Sequence, residues 1–141
     1  MKIFYTTRAT ATGGRSGHTA LDDGSLAFDL ASPGSDHSGA NPEQLFAMGY
    51  AACFDSAMNH VAPSLGLKPE QSSTSVAVGI GQKADGAFAL DLDITITVKG
   101  LSEQDARKLI EKAHEVCPYS NATHGNVDVR LHVNLIQSFD L

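Results

Sequence analysis

Asn41-Pro42-Glu43-Gln44-Leu45-Phe46-Ala47-Met48-Gly49-Tyr50-Ala51-Ala52-Cys53-Phe54-Asp55-Ser56-Ala57-Met58-Asn59-His60-Val61 reads as one helix. Asn41 can cap its first turn. Pro42 suits the first helical position, where a missing N–H costs nothing, and Glu43 sets negative charge at the positive end of the helix dipole. Pro63 lies just beyond, so the helix is expected to run to about His60. Leu45, Phe46, Met48, Tyr50, Phe54, Met58 and Val61 place apolar side chains all the way round it. A helix apolar on every side is buried on every side. A chain of 141 residues has little else to wrap it with, so a second copy is expected to help, making a homodimer.

On the C-terminal side, residues 74–82 and 87–98 alternate as two strands around the Asp85-Gly86 turn. Leu90, Leu92, Ile94, Ile96 and Val98 are interleaved with Asp91, Asp93, Thr95 and Thr97. Ser102-Glu103-Gln104-Asp105 opens a second helix like a capping box, and Ala106, Leu109, Ile110, Ala113 and Val116 follow helical spacing until Pro118. Val127, Val129, Leu131, Val133 and Leu135 alternate with polar residues as a strand with one wet face. On the N-terminal side, residues 3–12 favour a strand, Gly13-Gly14-Arg15-Ser16-Gly17 breaks it, residues 18–21 and 25–31 form two more around Asp22-Asp23-Gly24, and 32–39 is loop. The order is βββ-α-ββ-α-β. Strands cluster instead of alternating with helices, which predicts an α+β fold with mainly antiparallel sheet, as a single domain over residues 1–141.

Hydrophobic residues make up 42% of the chain and charged residues 18%, the balance of a globular protein. A net charge of -6 without any basic run argues against a nucleic-acid partner. The longest nearly unbroken apolar run, residues 45–54, is too short to cross a bilayer, so no membrane role is expected. The first residues carry no signal-peptide pattern, which together with the charge suggests a cytoplasmic location. In that setting two cysteines point less to a static disulfide than to thiol chemistry.

Cys53 lies deep in the apolar helix. Phe46, Gly49, Ala57 and His60 share its face by helical spacing, the two small ones leaving room over the sulfur, while Phe46, Tyr50 and Phe54 make the surroundings greasy. Two readings stay open: a packed core cysteine, or a nucleophile. A nucleophile needs a thiolate, yet apolar surroundings raise a thiol pKa above about 8.5, and the helix dipole has faded this far along. A cation from elsewhere is required. Arg15, in its glycine-rich loop, is the candidate, with Glu43 able to hold the guanidinium through two parallel hydrogen bonds; a solvated loop arginine and a simple dipole-compensating glutamate are the plainer alternatives. Cys117 follows the second helix at its negative end and is a poor first attacker, though it can resolve a sulfenic acid by condensing to a disulfide. Metal binding is weakly supported. His114, Cys117 and His124 are close in sequence, but no paired zinc-ligand spacing accompanies them, and the histidines read as surface residues.

Asn41-Pro42-Glu43-Gln44-Leu45-Phe46, Gly49-Tyr50-Ala51-Ala52-Cys53-Phe54, Cys117-Pro118-Tyr119-Ser120-Asn121-Ala122-Thr123 and Thr10-Ala11-Thr12-Gly13-Gly14-Arg15 together resemble the organic hydroperoxide resistance (Ohr) branch of the OsmC/Ohr family, in order and across essentially the whole chain. The resemblance implies an intertwined α+β homodimer, antiparallel sheets wrapping a buried central helix, with active sites at the subunit interface. It implies Cys53 as peroxidatic cysteine, Cys117 as resolving cysteine, and Arg15 with Glu43 as the activating pair. It also implies reduction of organic and fatty-acid hydroperoxides, no bound metal, haem or flavin, and recycling by dihydrolipoamide or lipoylated protein. Phe46, Tyr50 and Phe54 are the expected apolar substrate pocket. His124-Gly125-Asn126 departs from the family, where Arg-Gly-Asn is expected, and a histidine there is charged only part of the time. Competing readings are an OsmC-like peroxidase of broader range, and a thiol redox sensor or apolar-ligand-binding dimer that never turns over.

Overall fold

The computed structural model describes residues 1–136. The chain divides into two compact units, Met1–Leu45 and the residues from Phe46 onward. In the first, strands β1 (Ala9–Thr12), β2 (His18–Leu21) and β3 (Ala27–Asp29) form an antiparallel sheet in that order. The strand expected over residues 3–12 is shortened to its last four residues. β2 is itself only four residues long before the Asp22-Asp23-Gly24 turn, so Ala9↔Leu21 is the last pair of the ladder, and beyond it only the Arg8 carbonyl still accepts, from the Asp22 N–H at 2.9 Å. Between β1 and β2 the loop closes on itself: Gly13 and Gly14 take φ of 78° and 60°, and a Cβ on Gly17 would meet the Thr12 carbonyl oxygen at 1.8 Å. Only glycine fits those positions. The tight turn between them, Gly14–Ser16, is what presents Arg15.

α1 (Pro42–Val61) begins as expected. Asn41 Oδ1 accepts from the Gln44 N–H at 2.8 Å while the Asn41 N–H donates to Gln44 Oε1 at 3.0 Å, a reciprocal capping box. Its burial differs from expectation. One stripe, Tyr50, Phe54, Ala57, Met58 and Val61, is buried, whereas Met48 is 56% exposed and Ala52, Ser56 and Asn59 are open to solvent. The apolar girdle thus covers the whole circumference only in the first half of the helix; a single chain buries one side of it.

In the second unit, β4 (Gln71–Gln82) pairs antiparallel with β5 (Phe88–Lys99) along its full length. Alternation sends Leu92, Ile94, Ile96 and Val98 to the core side, all fully buried, against the α1 stripe and against Ala106, Leu109, Ile110 and Ala113 of α2 (Glu103–Val116). Replacing one such branched side chain by alanine costs about 2–5 kcal/mol. Ser102 caps α2, its Oγ accepting from the Asp105 N–H at 3.1 Å. β6 (Val129–Ile136) then lies parallel to β5, so this sheet is mixed and not antiparallel throughout. Parallel neighbours need a long crossover, and the segment holding α2 provides it. A third helix, α3 (Pro118–Thr123), follows α2 immediately, where the sequence pattern placed only a stop. The order is therefore βββ-α-ββ-α-α-β, still α+β. No helix among the described residues is long and apolar enough to cross a membrane.

Candidate active site

One helix junction and the half-buried helix α1 bring the cysteines together. Cys53 stands midway along α1, half-buried. Cys117 is fully buried at the junction of α2 and α3, closing the first helix and capping the second. It is thus not simply at a negative helix end, as the sequence suggested. The two thiols are unbridged, with Cys117 Sγ donating toward Cys53 Sγ across 3.3 Å. Sixty-four residues of chain separate two sulfurs that are in contact.

Burial pushes the Cys53 thiol above its ordinary pKa, the Tyr119 peptide N–H pulls it partway back, and the Cys117 thiol adds to the rise. Desolvation disfavours the charged form, and a hydrogen bond from a peptide N–H favours it. On these local terms the thiolate is short of stabilisation and calls for a cation.

In the first unit, Arg15 and Glu43 form the predicted pair. Arg15 Nη1 donates to Glu43 Oε2 at 2.8 Å and Nη2 to Oε1 at 2.5 Å, a two-pronged fork. The bonded guanidinium holds the Glu43 carboxyl below the usual carboxylate range, and the carboxylate raises Arg15 in turn. Glu43 occupies the first turn of α1, the helix that carries Cys53 further on.

The three pocket residues separate. Tyr50 and Phe54 are fully buried in the core, and Phe46 is half-buried. Phe46, Tyr50 and Tyr119 group together, with ring centroids 5.6 to 6.0 Å apart. Gly49 makes this possible, because a Cβ there would lie 2.7 Å from the Tyr119 hydroxyl. Tyr119 is therefore an aromatic neighbour that the helical-spacing argument missed, since it arrives from α3.

A buried polar network was missed as well. Tyr50 Oη lies 2.7 Å from Ser120 Oγ and 3.4 Å from Thr123 Oγ1, and Ser120 Oγ lies 2.8 Å from His114 Nδ1. His114 is half-buried, not a surface histidine; burial first, and the charge of His124 second, hold its pKa below 6.5. Asn121 Nδ2 donates to the carbonyls of Glu115 and Cys117, tying α3 to the end of α2. The sequence signal was available, for Ser120, Asn121 and Thr123 all sit in the Cys117-to-Thr123 segment. Among the described residues no cluster of three metal-binding side chains occurs.

A dithiol set between the helices of an α+β fold, with a forked Arg–Glu pair at the start of the helix that carries the first cysteine, defines a class that comparison with known proteins names. The chain belongs to the OsmC/Ohr family: the model of the OsmC-like protein family matches residues 34–132. A relative from Xanthomonas axonopodis pv. citri, called organic hydroperoxide resistance protein, is 48% identical over 135 residues, covering 92% of this chain and 94% of its own. OhrB of Bacillus subtilis, also an organic hydroperoxide resistance protein, is 42% identical over 92% of this chain and 97% of its own. The crystal structure of an organic hydroperoxide resistance protein from Elizabethkingia anophelis superimposes with a TM-score of 0.90 at 48% identity, covering 96% of this chain and all of that one.

Proposed function

We propose that this protein is a cysteine-based peroxidase that reduces organic hydroperoxides, fatty-acid hydroperoxides among them, to alcohols. One observation carries the reading: two reduced cysteines remote in sequence sit with sulfurs 3.3 Å apart, a pair ready to interconvert with a disulfide. The names of relatives at 42 to 48% identity support the choice of substrate class.

Arg15, oriented by Glu43, supplies the cation that Cys53 lacks in its own surroundings. The Cys53 thiolate attacks the outer peroxide oxygen, the O–O bond breaks, and the alkoxide leaves with a proton as alcohol; sulfur is oxidised to sulfenic acid and the peroxide reduced. Cys117 then displaces water from that sulfenic acid to give the disulfide. An external dithiol such as dihydrolipoamide or a lipoylated protein reduces it by exchange and leaves as the cyclic disulfide. No bound metal or prosthetic group is needed. Phe46 and Tyr119, the accessible members of the aromatic group, favour an apolar substrate. Each methylene buried contributes about 0.8 kcal/mol, so three or four give roughly a hundredfold preference over hydrogen peroxide. A homodimer that covers the open side of α1, in the cytoplasm, completes the reading.

The test is dihydrolipoamide-dependent consumption of cumene hydroperoxide, beside hydrogen peroxide and beside Cys53→Ser. Multiple turnovers, abolished in the variant and slow with hydrogen peroxide, are expected. A single stoichiometric oxidation would instead make the protein a sensor or binder, and equal rates for both peroxides would make it a broader peroxidase of the OsmC kind.

A further inference from the structure

The Tyr50–Ser120–His114 chain is tied to both cysteines through the backbone. Tyr50 is three residues before Cys53 on α1, Ser120 is three residues after Cys117 on α3, and His114 is three residues before Cys117 on α2. Two short hydrogen bonds, 2.7 Å and 2.8 Å, therefore link all three helices that present the dithiol. Tyr50 and Ser120 are essentially inaccessible to water, so nothing outside the network can replace these bonds.

We infer that His114, acting through Ser120 and Tyr50, is a positioning residue that holds Cys117 against Cys53 so that resolution outruns over-oxidation of the sulfenic acid. This rests on the peroxidase reading above. Two fates compete for Cys53 sulfenic acid. In one, the Cys117 thiol attacks, a disulfide forms and water leaves. In the other, a second hydroperoxide transfers its outer oxygen to the same sulfur, giving sulfinic acid and an alcohol, a loss that a dithiol does not reverse. The first is unimolecular and depends on how closely the thiol is held. The second depends on hydroperoxide concentration alone.

The network also has a direction, set by the His114 proton. With Nδ1 bare, Tyr50 donates to Ser120 and Ser120 donates to His114, and both bonds are short. With His114 protonated, Nδ1 must donate, Ser120 turns to donate to Tyr50, and Tyr50 is left to donate to Thr123 Oγ1 at 3.4 Å, while the Thr123 hydroxyl itself donates to the Ser120 carbonyl at 3.2 Å. The protonated arrangement ends in its weakest bond. Around the His114 ring stand Ser120 of α3, the Phe54 ring of α1 with centroids 6.4 Å apart, and, as the charged group that acts on it, His124 beyond α3. Its own helix adds Glu111 and Glu115, the latter paired with Lys112. Burial and the His124 charge both favour the neutral ring, whose Nε2–H tautomer leaves Nδ1 bare and the network tight.

The experiment uses the full chain, pre-reduced and exposed to a series of cumene hydroperoxide concentrations without reductant. Intact-mass analysis then gives the ratio of sulfinic acid to disulfide at Cys53. Losing one buried hydrogen bond is expected to raise that ratio about tenfold in His114→Ala and in Ser120→Ala, with no further rise in the double variant. His114→Asn, whose amide can replace Nδ1 without titrating, is expected to restore the wild-type ratio near pH 7. As the pH is lowered into the acid range the wild-type ratio should climb relative to His114→Asn, later than for an ordinary imidazole because burial favours the neutral ring. An unchanged or lower ratio in His114→Ala overturns the inference. So does a raised ratio that Asn fails to rescue, since that points to lost packing. If the wild type forms neither product with cumene hydroperoxide, the peroxidase reading itself has failed.

Discussion

Two arginines in this chain are each gripped by carboxylates, and they differ in what they have left over. Arg130, at the start of β6, has every donor engaged: Nε to Asp93, Nη1 to Asp91 and Asp128, Nη2 to Asp91 and Asp93, at 2.7 to 3.3 Å. A guanidinium has five N–H groups, and here five bonds use them. Arg15 gives two bonds to Glu43, and among the described residues its other three N–H groups make none. The first arginine is stitched into a sheet face between two strands and has nothing to offer a ligand. The second is carried by a glycine-rich turn, fixed by one carboxylate, with donors to spare for an anion such as a thiolate or a developing alkoxide. Ion pairing alone does not mark a functional arginine; the unspent donors do.

That distinction breaks most openly on activity. Arg15→Ala is expected to slow hydroperoxide oxidation of Cys53 by roughly a hundredfold or more, the scale of removing a preorganised charge-stabilising donor, while Arg130→Ala leaves it within about twofold, as expected for a surface ion-pair network. Stopped-flow oxidation of the reduced protein measures both. The sign of the pH effect adds detail. Burial already raises the Cys53 pKa; if Arg15 stabilises the thiolate as proposed, the variant's rate profile moves to higher pH and recovers partly in alkali. A fall with an unmoved profile would assign Arg15 to the peroxide oxygen and not to the thiolate. Equal losses in both arginine variants would remove the distinction altogether.

A smaller effect is expected one bond further out. Glu43→Gln keeps a side chain that can accept one hydrogen bond but loses the charge-assisted fork, so Arg15 is less well aimed and the same oxidation slows about tenfold. A faster variant would mean that Glu43 keeps Arg15 away from its target at rest, and the fork would then be a brake.

The parts of the fork carry local signals, glycines around Arg15 and a cap-and-proline helix start that fixes Glu43 in the first turn, but those signals fit plainer readings equally well, and it was the family resemblance that joined the two residues as a pair. The place of Cys53 midway along that helix was legible too, though the residues alone left a core cysteine and a nucleophile both open. The Arg130 cluster was not. It depends on Asp91 and Asp93 lying beside Arg130 across the β5–β6 pair, and alternation reveals which face a residue takes but not which strand lies next to it or in which direction. The parallel direction of β6 was lost on the same account. α3 was hidden because Pro118 ends one helix and equally well begins another. His114 was misread because a single histidine in a charged helix looks solvated until Ser120 and Tyr50 arrive from remote parts of the chain. The extent of β1 failed for the opposite reason: residues 3–7 have strand composition but no ladder partner, since a strand exists only where its neighbour does.

The mildest consequence concerns acid stability, and it asks whether the saturated arginine has any energetic role. The hydrogen bond from Arg130, then that from His132, hold the Asp93 carboxyl well below the ordinary range, and Asp91 is lowered by the same guanidinium. A carboxylate whose folded pKa lies below its unfolded value of about 3.9 stabilises the fold above that pH, and the contribution fades as pH falls through it. The pair is exposed, so the effect is small and screened by salt. The Tm difference between wild type and Arg130→Ala is therefore expected to be a few degrees at most near neutrality, to shrink below about pH 4, and to be smaller at high ionic strength. A difference that stays constant across pH and salt would trace it to the aliphatic stem of Arg130 covering the sheet face, and the saturated clamp would then be a matter of packing and not of charge.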